Sequence, residues 1–357
     1  MPLTERPTIR DISKDLGLAI STISMALKNH PRISVETRKR VQARARKMGY
    51  MPDPRLASVM ANLKRKKTDR PVAGLAYVIP SLEFSESHKH SIFQSFFDGA
   101  KARAEELGYR LERFNLPQEK ISGARLVSIL RSRGIEGIVI SPIFDGGKKL
   151  DFDWSKFSAI AFGHSVVDPG MNRVSFDQFY AVYQSLRCMA RSGYRRMGVV
   201  LPGNADERMH SLSLAGALAF TAQQADQTAI PMFKGTDRRE FLAWFHTHRP
   251  DALLCHGLHW AKILHEEGIN CPGDYGYATL EFDQQNAQRA DHDDPDFQRQ
   301  FSRVSGMNQG ADYIGGLAVE LLAQDLSLNI AGPSERPKTT LVEGEWCEGD
   351  TLRDVSG

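Results

Sequence analysis

Acid is scarce at one end of this chain: residues 1–70 hold 17 Lys and Arg against only 6 Asp and Glu. Cysteine is scarce everywhere. The 4 cysteines, Cys188, Cys255, Cys271 and Cys347, show no C-x-x-C spacing, which argues against a zinc ribbon or a disulfide-stapled scaffold. His256 and His259 stand at i, i+3 with His265 farther along, yet nothing completes a metal set, and the acidic stretch 291–296 fits an exposed loop. No apolar run nears the roughly 18 residues of a spanning helix, and no secretory apolar region is visible. A soluble, cytoplasmic chain without membrane role or cofactor is therefore expected. A phosphate-cradling G-x-x-x-x-G-K-S/T, a G-x-G-x-x-G after the first core strand and a G-x-S-x-G elbow are all missing, so no enzymatic constellation is visible.

What is present begins at residues 8–50, where spacing and punctuation predict three short helices. Thr8 and Asp11 form a T-x-x-D capping box, Ile9, Ile12 and Leu16 share one helical face, and Gly17 stops the helix. Leu18 closes a tight turn. A second helix over 20–27 turns Ile23 and Leu27 inward at i and i+4, leaving Ser21, Thr22, Ser24 and Met25 facing outward. A third runs from the cap residue Ser34 through Val41, Ala45 and Met48 to Gly49. Periodicity alone fits a plain bundle as well as a helix-turn-helix. Charge separates the two, because the 17-to-6 basic excess of residues 1–70 sits on a remainder with 29 Lys and Arg against 37 Asp and Glu, hidden within a net charge of +3. A basic module on an acidic body is the electrostatic signature of phosphate-backbone binding, with duplex DNA as partner. The outward face of the second helix would then read bases.

These residues resemble the headpiece of the LacI (lactose repressor) family of bacterial transcription regulators: T-I-x-D-I-S from Thr8, S-T-I-S from Ser21, and G-Y-x-P-D-P from Gly49. The likeness extends more weakly through Gly193-Tyr194-Arg195-Arg196-Met197-Gly198, Pro272-Gly273-Asp274, and Gly315 with Ala318 and Val319. It implies a DNA-facing set of Thr8, Ala19, Ile20, Ser21, Thr22, Ser24 and Met25, continued by Lys28, Asn29, Arg32 and Tyr50. Two positions depart from the pattern. Ala19 stands where relatives commonly carry a capping serine, a cap worth about 1 kcal/mol. Met25 stands where they often carry arginine, so a guanidinium contact is replaced by a flexible apolar chain and the operator should differ.

Asp53-Pro54 reads as an N-cap followed by proline at the first helical position, predicting a helix over 54–62. The resemblance makes this a hinge that folds on DNA and wedges the minor groove, with Val59 at the position of the usual leucine and Met60 as the alternative source of bulk. Arg55 and Lys64, the latter opening the run Lys64-Arg65-Lys66-Lys67, join the DNA-facing set.

Residues 72–346 alternate strand and helix signals. Strands are expected at 72–80, 109–114, 137–141 and 159–163, with helices at 91–107 and 124–132; a second half opening near Val174 repeats the scheme. That half should contain helices at 178–192, 212–224 and 239–246, with strands at 197–201, 229–233 and 252–256. The expected fold class is a small all-α helix-turn-helix headpiece plus an α/β core of two doubly wound parallel-sheet lobes of periplasmic-binding-protein type. The organisation read is a headpiece at 1–52, hinge helix and basic linker at 53–71, a core at 72–346 and a tail at 347–357. By resemblance the chain crosses between lobes three times; lobe 1 is placed at about 72–170 and 303–332, lobe 2 at about 171–302 and 333–346.

Ligands in such folds lie where strand C-termini face a cleft. His164, His256, Glu281 and Gln309 fall there, with Asp177 near the crossover. Ser213 stands where sugar-responsive relatives often carry a gripping arginine, and Arg208 is the nearest substitute. The expected function is a sequence-specific transcription regulator, a repressor, that binds a pseudo-palindromic operator as a homodimer under control of a small-molecule effector, a sugar or related metabolite. The alternative is a constitutive or architectural DNA-binding protein that needs no effector. An enzyme or transport-type binding protein with an appended basic domain is the third class weighed. The tail lacks leucine heptads, so the tetramer-forming coil of the family's namesake is not expected.

Overall fold

The computed structural model describes residues 7–27, 30, 32–50, 73–80, 92–117, 119–143, 152–201, 207, 209–223, 230–282 and 294–353. The expected helix at 54–62 and basic run at 64–67 lie outside these residues.

Three helices form the headpiece: α1 (Ile9–Leu16), α2 (Ile20–Leu27) and α3 (Val35–Lys47). At the start of α1 the Thr8 N–H and hydroxyl both donate to the Asp11 carboxylate at 2.7 Å, and Gly17 ends the helix in the left-handed region at φ 64°. Ser34 caps α3 by accepting from the Thr37 N–H at 3.2 Å. Ile12, Ile23, Ala26, Val41 and Ala45 make the buried core. Ala26 takes the inner place expected of Leu27, which packs at the core's edge; the smaller side chain lets α2 approach α3.

The core holds two sheets. Sheet 1 is built from β1 (Ala73–Ile79), β2 (Tyr109–Asn115), β3 (Gly137–Ile140), β4 (Ser158–Phe162), β5 (Asn172–Phe176) and β10 (Thr339–Val342), in the order β10-β5-β4-β3-β1-β2. Sheet 2 is built from β6 (Met197–Val200), β7 (Ala252–Cys255), β8 (Gly276–Phe282), β9 (Ser305–Asn308) and β11 (Glu345–Cys347), in the order β11-β9-β8-β7-β6. Every pairing is parallel except β11 with β9. Parallel strands need helical cover on both faces. On β1, Leu75, Tyr77 and Ile79 join one apolar cluster and Ala76 and Val78 another, which is why its sequence is a continuous apolar run rather than an alternation.

The first face of sheet 1 is covered by α4 (Ile92–Glu106) and α11 (Ala311–Leu328), the second by α5 (Gly123–Ser132). Sheet 2 is flanked by α6 (Gln178–Arg191), α7 (Leu212–Gln223), α8 (Arg238–His248), α9 (His259–Glu266) and α10 (Pro295–Phe301).

Three strands fall in the other sheet from the one their sequence position suggested. β5 joins sheet 1, because Asn172 to Val174 pair with Ile160 to Phe162 of β4, so lobe 1 runs on past residue 170. β9 pairs with β8 and belongs to sheet 2, whereas β10 pairs with β5 and belongs to sheet 1. The segment expected as a strand at 229–233 makes one isolated bridge, Phe233 to Val200; Pro231, lacking an N–H, limits the ladder there. The expected tail is part of the fold instead: Cys347 ends β11, and fully buried Thr351 donates to the Tyr277 carbonyl at 2.7 Å and accepts from the Ser305 N–H at 2.9 Å.

The chain passes between sheets at Asp177, at 309–310 and at 343–344. The Asp177 N–H donates to the Val342 carbonyl at 2.8 Å. A Cβ on Gly344 would lie 2.7 Å from the Asn308 carbonyl oxygen and 2.7 Å from the Phe176 ring. All three passages therefore run against one another.

Candidate functional sites: the headpiece face and the cleft

The buried side of α2 is Ile23 and Ala26, which fixes what faces outward. Ala19 and Ser21 are exposed, Ile20 is 46% exposed, and Thr22, Ser24 and Met25 are half-exposed. Thr8 and Arg32 are exposed as well, whereas Tyr50 packs against the headpiece core. Lys28, Asn29, Arg55, Val59, Met60 and Lys64 lie outside the described residues. Ala19 offers only a methyl group where a cap oxygen would receive an N–H of the first turn.

Two of the few headpiece acids, Asp11 and Asp15, are held internally. Asp11 is bound by Thr8, whose hydrogen bonds hold its carboxyl below the usual range. Asp15 bridges α1 to α3 through Arg44 at 2.6 and 2.5 Å, and that hydrogen-bonded contact lowers its pKa. Arg40 ties α3 back to the Leu16 carbonyl at 3.2 Å. Arg38, Lys39, Arg46 and Lys47 add further positive charge along α3. The module thus presents hydroxyls and a thioether on α2 beside a net positive field, an arrangement able to read base edges while neutralising phosphates.

In the core, the structure brings two of the expected cleft residues together. His256 follows β7 and Glu281 stands near the end of β8; His256 Nδ1 is 3.3 Å from Glu281 Oε1. A carboxylate only accepts, so Nδ1 carries the proton and, in the neutral ring, Nε2 is the acceptor. That Nε2 is buried with no partner among the described residues. Gln309 is buried and donates its amide to the Leu280 carbonyl at 2.7 Å, fastening a crossing to β8. Asp177 caps α6, accepting from the Tyr180 N–H at 2.9 Å. Ser213, near the start of α7, is fully buried and contributes no charge. Arg208 is outside the described residues.

His164 sits apart from that pair. It follows β4 and Gly163, whose φ of 64° turns the chain. Its ring lies 4.7 Å from that of His210, in the segment leading from sheet 2 into α7, so this contact spans the lobes. Burial first, and then the charges of His210 and Arg173, pull the His164 pKa from 6.5 down to about 4. Its Nε2 is likewise buried without a partner. Neither His210 nor Arg173 was marked by the sequence. His210 carries no motif, and its positive φ of 57° is a backbone property that a histidine does not advertise. Among the described residues no cluster of three or more His, Cys, Asp or Glu fits a metal ion, and no helix is long and apolar enough to cross a membrane.

The family model for bacterial regulatory proteins of the lacI family matches residues 8–53, and that for periplasmic binding proteins and sugar binding domain of LacI family matches residues 78–224. The NTD biosynthesis operon regulator NtdR of Bacillus subtilis is 22% identical over 201 residues, 54% of this chain and 54% of the relative. The HTH-type transcriptional repressor CytR of Escherichia coli is 21% identical over 202 residues, 54% and 53% of the two chains. The chain therefore spans about half the length of these curated relatives. Among solved structures, the transcriptional regulator CelR in complex with cellobiose superposes with a TM-score of 0.57 at 15% identity, covering 97% of this chain and 100% of that one. The lac repressor dimer bound to operator and the anti-inducer ONPF gives 0.54 at 16% identity, covering 98% and 100%. These likenesses establish the shared fold, and with the two matching family models they place the protein: the chain belongs to the LacI family of bacterial regulatory proteins.

Proposed function

We propose that this chain is a sequence-specific DNA-binding transcription regulator, acting as a repressor, that binds a pseudo-palindromic operator as a homodimer and responds to a small molecule held between its lobes. The observation that carries this reading is the α2 face: exposed Ser21 and half-exposed Thr22, Ser24 and Met25 on a basic module whose Asp11 and Asp15 are bound within it. Support also comes from CytR, a transcriptional repressor by name, and from the lac repressor structure, which is of a dimer on its operator. One headpiece of three helices reads few base pairs, and a two-fold pair multiplies the discrimination. The unpartnered imidazole nitrogens of His164 and His256 at strand C-termini support a ligand in the cleft, since buried polar atoms are normally satisfied.

The test is selection of bound sites from random duplex DNA with the full chain, followed by a reporter placed behind the enriched site. The expected result is a two-fold symmetric site, an affinity that falls steeply with salt, and reporter expression lowered by the protein. Failure to enrich any site, with and without metabolite extract, would overturn the sequence-specific reading.

A further inference from the structure

The two halves of the cleft differ in chemistry. On the sheet 2 side His256 is paired with a carboxylate, Glu281, at 3.3 Å, a combination that offers acceptors to ligand hydroxyls. Among the described residues no acid is paired with His164. The charges that act on His164 are those of His210 and Arg173, both of which disfavour adding a proton to it. Arg173 on β5 is half-buried, and desolvation lowers even its pKa. No described carboxylate pairs with the Arg173 guanidinium. Positive and potentially positive groups thus gather around a buried ring nitrogen that has nothing to bond.

Such a gathering does not suit a metal ion, because Arg173 repels a cation and no third ligand approaches among the described residues. It suits an anion. An oxyanion placed against His164 would supply the missing acceptor, offset the charge of Arg173, and favour a proton on the imidazole it touches. Because His164 comes from lobe 1 and His210 from the lobe 2 side, one anionic group touching both rings would also bind the lobes to each other.

We propose that the cleft ligand carries an oxyanion, a carboxylate or phosphate, seated against the touching rings of His164 and His210, while its hydroxyls are read by His256 and Glu281. This assignment of ligand class rests on the ligand-controlled regulator reading above. Two consequences follow: binding takes up a proton, and affinity rises as pH falls from 7 towards 5, since the oxyanion stabilises the protonated His164 that His210 and Arg173 otherwise oppose.

The experiment uses the full chain with galacturonate, gluconate and glucose 6-phosphate beside their neutral parents galactose and glucose, by thermal shift and by calorimetry in buffers of different ionisation enthalpy. At least one acid should bind about tenfold tighter than its parent, with a buffer-dependent enthalpy that reports proton uptake. The sugar acids against the sugar phosphate decide between carboxylate and phosphate. His210→Gln, at an exposed position, should shrink the acid-to-parent ratio several-fold. Inorganic phosphate is the second probe: followed by ring-nitrogen resonance on labelled histidine, it should move the His164 titration upward from about 4, whereas chloride should not.

Parents that bind as well as the acids, with His164 indifferent to phosphate, would overturn the oxyanion; ligand control would stand if those parents change operator affinity. A phosphate response without binding of either sugar acid or of the sugar phosphate supports the anion seat and points to another scaffold. No binding and no phosphate response overturns the inference, and the regulator reading is then judged by operator selection alone.

Discussion

His164 is the residue whose surroundings are most at odds with its chemistry. A folded-state pKa of about 4 against an ordinary 6.5 means that the unfolded chain binds the extra proton between those values. Stability from keeping the ring neutral is therefore complete above about 6.5 and falls as pH drops towards 4. Replacing His164 with Asn removes the titration, so the difference in Tm between wild type and variant should shift in the variant's favour as pH is lowered from 7 to 4.5; a pH-independent difference would refute the assignment. Met25 offers a residue-scale test at the other end of the molecule. It is half-exposed on the outward face of α2, and Met25→Arg would introduce a bidentate donor suited to a guanine edge. Selection with this variant should change the preferred base at one position in each half-site, a discrimination of about 1–3 kcal/mol. An unchanged consensus would remove Met25 from the base-reading set.

At the scale of elements, the contact between α4 and α11 depends on glycine. A Cβ on Gly315 would stand 2.1 Å from the Phe96 carbonyl oxygen, and one on Gly99 would stand 1.9 Å from that of Asp312; both obstacles are backbone, which cannot rotate away. One residue farther, a Cβ on Gly316 would meet Arg103 Cβ at an ordinary 3.5 Å. Gly315→Ala should therefore cost about 1–3 kcal/mol by forcing the helices apart, lowering Tm by several degrees, whereas Gly316→Ala should be neutral or stabilising by up to about 1 kcal/mol through helix propensity. Equal effects in thermal denaturation would show that the close approach is not what matters. The same elements show what was legible. Capping residues and glycine stops marked α1, α3 and α4 closely, because those signals are local. The partners of β5, β9 and β10 were not legible, since these short segments, NRVSF, SGMN and TTLV, carry no continuous apolar run and which neighbour each joins is decided by tertiary folding. The pair His256–Glu281 fell at strand ends as expected from topology. His210 did not, because a loop residue 46 positions after His164 reaches it only through tertiary folding.

Across the whole molecule, two divisions coincide. The basic headpiece is set against an acidic body, which under the proposed function would direct DNA phosphates to one end, and the body is divided into sheets joined by three passages packed at Asp177, 309–310 and Gly344. Passages packed this closely favour a change in the angle between lobes over their independent motion, so a ligand in the cleft would act on that one equilibrium. Under the proposed function this linkage is reciprocal: a ligand that prefers one lobe arrangement changes operator affinity by the factor by which operator changes ligand affinity. Calorimetric titration of the cleft ligand into free protein and into the protein–operator complex should give dissociation constants that differ by about 5–150-fold, the span of typical coupling energies, and the ratio should match that for operator measured with and without ligand. The sign of the change distinguishes induction from corepression. Gly344→Ala, which forces Asn308, Met307 and Phe176 away from the third passage, should alter that ratio while leaving the headpiece unchanged. If both ligand affinities are equal, the cleft does not communicate with DNA.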